Sequence, residues 1–289
     1  MIPRNSLATK LDELLHIAIQ SGDKEPEVIR KFAESAEAIK NPPNIQIRTG
    51  FIHQRPYVFF VEPGKVVDRA KCELGDLLYV YKHFDRAGSL RNAKACFVQV
   101  KQGREHWLIE PHQLEFLANV KRIQFRFGNS VDKKGGSKPI IYNGLPHSGE
   151  LAQYLLIGGQ SESSISGALS YSVKRVMRRQ KLYQQSISIS RSNPIVCKEG
   201  KVDLCDNHDS HMRFLIRFCH GAEGAKLSGQ LRRIVELIYK RIDWDEATPE
   251  EYDKYFVEDG QGFCVVEITS RDRSGSKLFE RKIRERRQD

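Results

Sequence analysis

The sequence predicts an α/β protein whose first half runs helix, three strands, helix, strand, and whose second half is mainly helical and basic. Three observations carry this reading. Apolar residues recur at helical spacing in residues 6–21 and 26–40; short runs rich in β-branched and aromatic residues, separated by turn formers, fill residues 45–101; and two later amphipathic segments carry Lys and Arg on their outer positions.

The first helix is marked by Leu11, Leu14, Leu15, Ile17, Ala18 and Ile19, and the second by Val28, Ile29, Phe32, Ala33, Ala36 and Ile39. Asn41-Pro42-Pro43 ends the second helix, because proline lacks the amide and the room that a continuing helix needs. Tyr57-Val58-Phe59-Phe60-Val61 reads as a strand, stopped by Glu62-Pro63-Gly64. Leu77-Leu78-Tyr79-Val80-Tyr81 and Ala95-Cys96-Phe97-Val98 form a hairpin around the polar turn at 85–89. If Phe84 faces Ala93 across that turn, Asp76 lies opposite Lys101 and Leu78 opposite Gln99. The period of two then puts Asp76, Gln99 and Lys101 on one face. A helix over 111–120 and a strand over 123–127 follow, and Asp132-Lys133-Lys134-Gly135-Gly136-Ser137 is a polar connector.

A boundary near residue 145 divides the chain into a first domain at 1–145, including the N-terminal helices, and a basic α+β region at 146–289 whose charge would suit nucleic acid or a partner. In the second region Ser161 could cap a helix with Ile165, Leu169, Val173 and Val176 inward, while Lys174, Arg175, Arg178 and Arg179 form a basic stretch that suits phosphate contact or, equally, a solvated helix face with cations near its C-terminus. A helix over 227–242 repeats the design, with Leu231, Ile234, Val235 and Ile238 inward and Arg232, Arg233, Lys240 and Arg241 outward. Phe263 to Ile268 reads as a late strand, and 277–287 as a basic tail.

The 289 residues carry a net charge of +10, 39% hydrophobic and 29% charged residues, the composition of a folded globular protein that favours a polyanionic partner. Six cysteines without a Cys-x-x-Cys pair argue against a disulfide framework and for a reducing compartment, and no window approaches the roughly 18 apolar residues of a membrane span. Cytoplasmic location and no membrane partner are expected. No Walker-type loop is present, so the chain should not hydrolyse ATP itself.

Asp76 followed by Gln99-Val100-Lys101 resembles the signature of the PD-(D/E)XK nuclease superfamily, in the variant where Gln replaces the second acid, as in Mrr-type restriction endonucleases. The resemblance covers about residues 26 to 130 and implies a restriction-endonuclease-like mixed sheet in the order already read. It implies an Mg2+-dependent endonuclease, with Mn2+ as an alternative ion. Asp76, Gln99 and the carbonyl of Val100 become metal ligands, and Lys101 becomes the residue that orients or deprotonates the attacking water. The implied substrate is DNA, with RNA left open, in restriction or antiphage defence. A companion defence protein or a homodimer would complete the setting.

The chemistry is coherent by itself: Mg2+ takes oxygen ligands and keeps several waters, and a lysine beside such a water adds positive charge. Because Gln99 attracts a cation less than Glu would, a further acid is expected to compensate: Glu34, slightly preferred over Glu37 on the preceding helix, or Glu73 beside the turn. Two weaker constellations stand beside this one. At the start of the helix after the hairpin, His112 could face the substrate phosphate, or Glu110 could simply favour the helix N-terminus; Cys197, Cys205, His208 and His211 have ligand types for zinc without a familiar spacing. The alternative function is a nuclease-like module that binds nucleic acid, or acts only with a partner, without effective catalysis.

Overall fold

The computed structural model describes residues 4–21, 24–39, 44–52, 57–61, 69–103, 106–109, 111–119, 124–127, 141–142, 145, 151–158, 169–172, 187–190, 195–197, 200–202, 209–242 and 263–272. Its centre is an eight-stranded mixed sheet. The principal strands are β1 (Ile45–Ile52), β4 (Leu77–Phe84), β5 (Leu90–Gly103), β9 (Ala152–Gly158), β10 (Leu169–Ser172), β14 (Asp209–Ser210) and β16 (Phe263–Arg271). They lie in the order β1-β16-β4-β5-β9-β10-β14, and β15 (Ala225–Lys226) also pairs with β5. Two smaller four-stranded sheets accompany it. One joins β2 (Tyr57–Val61), β3 (Arg69–Glu73), β7 (Phe125–Phe127) and β8 (Ile141–Tyr142). The other joins β6 (His106–Ile109), β11 (Ile187–Ser190), β12 (Ile195–Cys197) and β13 (Gly200–Val202).

Period-two alternation divides the central strands between two cores. Leu77, Tyr79, Tyr81, Cys96, Val98, Val100, Cys264 and Val266 face one side. They pack against α1 (Arg4–Gln20), α2 (Glu25–Glu37) and α4 (His211–Cys219). Leu78, Val80, Ala95, Phe97, Phe263 and Val265 face the other side, against α3 (Pro111–Asn119), α5 (Gly229–Tyr239) and the sheet containing β2. The inward residues of α5, Leu231, Ile234, Val235 and Ile238, are all buried at 234's spacing of one helix stripe, each contributing about 1.5–3 kcal/mol by leaving water. Tyr239 donates from its hydroxyl to Glu267 at 2.5 Å, and Lys82 reaches the same carboxylate at 2.6 Å. These contacts fix α5 with Arg232, Arg233, Lys240 and Arg241 exposed.

The helices at 6–21, 26–40, 111–120 and 227–242 and the strands at 57–61 and 263–268 all form, each within a few residues of the expected bounds. In α1 the expected inward residue Ile17 is instead 62% exposed. Four larger expectations need correction. The hairpin pairs two residues tighter than expected: Leu77 faces Val98 and Lys82 faces Ala93, with a register shift between His83 and Phe84 that brings Phe84 opposite Leu90. The cause is the turn, which Asp85 closes by accepting Ser89 N–H and Arg91 Nε at 2.8 and 2.7 Å. Because the slip is even, no side chain changes face.

The strand following α3 does not complete the central sheet. Phe125–Phe127 pairs with β2 instead, and the strand that runs parallel to β5 is β9, from Phe97↔Ala152 to Gly103↔Gly158. On the opposite side, β16 lies parallel to β4 and separates it from β1. A boundary at 145 therefore does not divide the sheet, which draws strands from both sides of it. Finally, the helix expected around Leu169 is a strand over Leu169–Ser172, where pairing with both β9 and β14 prevails over a helical spacing of apolar residues. The connector at 132–137, the remainder of that expected helix and the tail at 277–287 lie outside the described residues.

The helix α4 went unread in the sequence, yet it anchors one face. Its C-terminus closes with Ala222 N–H on Arg217 O at 2.9 Å and Gly221 N–H on Phe218 O at 2.8 Å. Gly221, at φ +71°, occupies the left-handed position this cap requires. His211, Phe214 and Phe218 surround the ring of Tyr79, and the Tyr79 hydroxyl meets His211 Nε2 at 3.1 Å. Burial, with a smaller contribution from His16, pushes the His211 imidazole down to about 3.

His211 therefore stays neutral in the folded protein while the unfolded chain takes up a proton below about pH 6.5. Its contribution to stability is complete above that pH and is lost as pH falls toward 3, by up to about 1.4 kcal/mol per pH unit. Asp12, which burial raises, opposes part of the loss. Urea midpoints of His211→Phe should fall less between pH 7 and 4.5 than those of the parent protein; parallel losses would refute the assignment.

Candidate active site

Asp76 immediately precedes β4, where the chain leaves β3 and enters the sheet. Gly75 makes the entry possible: a Cβ there would sit 3.1 Å from Val98 O, the atom that accepts the Asp76 N–H at 2.9 Å. On the other side, Asp76 O accepts Cys264 N–H at 3.0 Å. The residue is thus clamped by its main chain between β5 and β16. Its side chain projects to the face that carries α3.

Continuing the observed register by one residue sets Asp76 opposite Gln99, not opposite Lys101. Asp76 Oδ2 accepts Val100 N–H at 2.8 Å and a hydrogen bond from Gln99 Nε2. Gln99 Nε2 also lies 3.4 Å from the Val100 carbonyl. Gln99 Oε1 in turn accepts from Nε2 of Gln113 on α3, and the same Gln113 nitrogen reaches Glu73 O at 3.3 Å. Asp76, Gln99 and Gln113 are 0%, 1% and 1% exposed. The result is a polar relay sealed between the sheet end and α3. Lys101 stands two residues beyond Gln99 on the same face, half-buried at the end of β5.

The structure thus brings together Asp76, Gln99 and Val100 and places Lys101 beside them. It does not bring Glu34 or Glu37 to them. Glu34 and Glu37 belong to α2, which packs on the opposite face. Glu34 pairs with Arg30 at 3.1 Å, and Glu37 accepts the buried Thr49 hydroxyl at 2.6 Å. On the same face, the thiol of Cys264 is pushed up first by burial and then by Glu37 and Glu34. Glu73 joins the relay through its main-chain carbonyl. Among the described residues, no group of three or more His, Cys, Asp or Glu side chains could hold a metal ion.

Of the remaining candidates, His112 is exposed at the start of α3. His211 is buried against Tyr79, which removes it from the zinc reading; Cys205 and His208 lie outside the described residues, as do Lys174, Arg175, Arg178 and Arg179. Gln113 is the residue that the sequence reading passed over. Its signal was present: it shares one helical stripe with Phe116 and Leu117, so it had to be a buried amide in need of partners.

As a donor set, the Asp76 carboxylate, the Gln99 amide oxygen and the Val100 carbonyl suit a hard cation such as Mg2+, which is satisfied by one carboxylate, neutral oxygens and waters. In the orientation observed, the Gln99 NH2 stands where such a cation would balance the carboxylate. No helix among the described residues is long and apolar enough to cross a membrane. No family model, curated protein or solved structure matches the chain.

Replacing Asp76 with Ala strands two buried donors, Val100 N–H and one Gln99 N–H. We expect a loss of about 2–5 kcal/mol in urea unfolding, against no more than about 0.5 kcal/mol for Lys101→Ala at the rim. Equal effects of the two substitutions would show that the relay contributes nothing to stability.

Proposed function

We propose that the chain is a metal-dependent nuclease that hydrolyses phosphodiester bonds in DNA, with Asp76, Gln99, Val100 and Lys101 as its centre. The convergence of Asp76, Gln99 and the Val100 main chain at the end of the β4–β5 hairpin carries this reading. Asp76 and the oxygens of Gln99 and Val100 would hold Mg2+ or Mn2+, which when bound neutralises phosphate charge and makes water more acidic. The chain's own contribution is positional. The main-chain clamp on Asp76 fixes the carboxylate, and Lys101 projects a positive charge from the open end of β5 toward an incoming phosphate. An attacking water held beside Lys101 would give up a proton to solvent as its oxygen bonds to phosphorus, while the opposite P–O bond breaks and the leaving oxygen takes a proton from solvent to depart as an alcohol. The exposed Arg232, Arg233, Lys240 and Arg241 of α5 offer contacts for the DNA backbone. Restriction or antiphage defence is the setting that goes with this activity.

A second reading is favoured by one observation, the NH2 of Gln99 turned toward Asp76. On this view the relay is a structural polar core, and the chain binds nucleic acid, or assists a partner protein, without cutting.

Plasmid DNA incubated with the protein, with and without Mg2+, separates the two. Cleavage should require the ion and should fall by about 100-fold or more in Lys101→Ala and Asp76→Asn. Cleavage that survives both substitutions would overturn the first reading, and ion-independent DNA binding without cleavage would support the second.

A further inference from the structure

The hydrogen bonds around Asp76 have a fixed polarity that originates at Gln113. A main-chain carbonyl only accepts, so Glu73 O calls for the NH2 end of the Gln113 amide, which stands 3.3 Å away. That same NH2 donates to Gln99, so the Gln99 atom facing it must be Oε1. The other end of the Gln99 amide, its NH2, is thereby directed at Asp76. Gln113 Oε1 is buried and meets no hydrogen-bond partner among the described residues, so the relay depends on the nitrogen end of this amide alone.

Turning Gln99 over by itself would set two NH2 groups against each other beside Gln113. It would also press Oε1 against the Asp76 carboxylate, an arrangement of two oxygens that needs a cation between them. With all three residues sealed from water, both faults carry the full cost of unsatisfied buried groups.

We propose that Gln113 is a positioning residue that holds the Gln99 amide with its NH2 toward Asp76 and so keeps the site closed to divalent cations. The site opens when the contact with Gln113 is released and the Gln99 amide turns about its Cγ–Cδ bond, bringing Oε1 beside the carboxylate. The inference rests on the metal-dependent reading above. It assigns the control of metal binding to α3 and not to an acid.

Mn2+ titration followed by calorimetry and by the electron paramagnetic resonance of the free ion tests it. Gln113→Glu supplies a group that only accepts. It should draw the Gln99 NH2 to itself, turn Oε1 to Asp76 and tighten Mn2+ binding by about tenfold or more. Gln113→Met, which keeps the length of the side chain but cannot hold Gln99 Oε1, should also bind more tightly than the parent. Adding Asp76→Asn to Gln113→Glu should abolish the gain. A purely structural role for Gln113 would not produce tighter binding in either variant.

If both variants bind like the parent while Asp76→Asn abolishes the parent's own binding, the proposal fails and the metal-dependent reading stands. Tight binding by Gln113→Glu that persists with Asp76→Asn also overturns it, because the introduced carboxylate then holds the ion unaided. No Mn2+ binding by any of these proteins overturns both readings. Near-ultraviolet circular dichroism verifies the fold of each variant, and should Gln113→Glu not fold, the result for Gln113→Met decides alone.

Discussion

A fully buried carboxylate at the mouth of a central strand is the constraint around which this end of the molecule is built. The Asp76 carboxyl group cannot leave water without hydrogen-bond partners. The nearest come from the neighbouring strand, as Val100 N–H and the Gln99 amide. Gln99 then needs an acceptor for its own second donor and a donor for its oxygen, and this requirement reaches through Gln113 to α3. The position of α3 is confirmed by apolar packing, since Phe116 lies 5.1 Å, ring to ring, from both Phe60 and Phe125 of the adjoining sheet. One charge thus links the central sheet, a helix and a second sheet.

The two ends of β4 on this face treat charge differently. At the far end, Glu267 is met by the Lys82 ammonium and the Tyr239 hydroxyl, in a partly solvated cluster that secures α5. At the near end, Asp76 is met by neutral N–H groups in a site without solvent exposure. Ion pairs of the first kind are weakened by salt to the extent that solvent reaches them, whereas hydrogen bonds of the second kind strengthen as water is excluded. The far end thus secures a helix through a charge cluster, and the near end through neutral hydrogen bonds sealed from water.

Much of this was legible from the residues. The helices at 4–20, 25–37, 111–119 and 229–239 announce themselves because their apolar stripes are long and regular, and the β4–β5 hairpin because its runs are flanked by turn formers. The shared face of Asp76, Gln99 and Lys101 was legible too, because a register error of two residues leaves parity intact. What escaped was everything set by distant pairing. No local pattern tells that Phe125–Phe127 joins Tyr57–Val61, or that Leu169–Ser172 is held extended by strands on either side. The side of the sheet taken by α2, and with it the exclusion of Glu34 and Glu37 from the Asp76 cluster, is equally non-local. Gln113 escaped for a different reason: a glutamine on an apolar stripe is a small signal beside a motif of charged residues.

The placement of β16 bears on how the chain reaches its fold. This strand lies between β1 and β4, pairing with each along its length, although it is the last described strand of the chain. Until it is in place, β1 has no neighbour on that side of the sheet, β4 exposes an unpaired edge, and Asp76 O lacks the N–H of Cys264. A growing chain would therefore carry an open, apolar strand edge until β16 is made, a state prone to pairing with other chains. Closure of the centre by a segment so distant in sequence from β1 and β4 makes contacts that are slow to form, and ties the geometry of the Asp76 corner to the docking of β16.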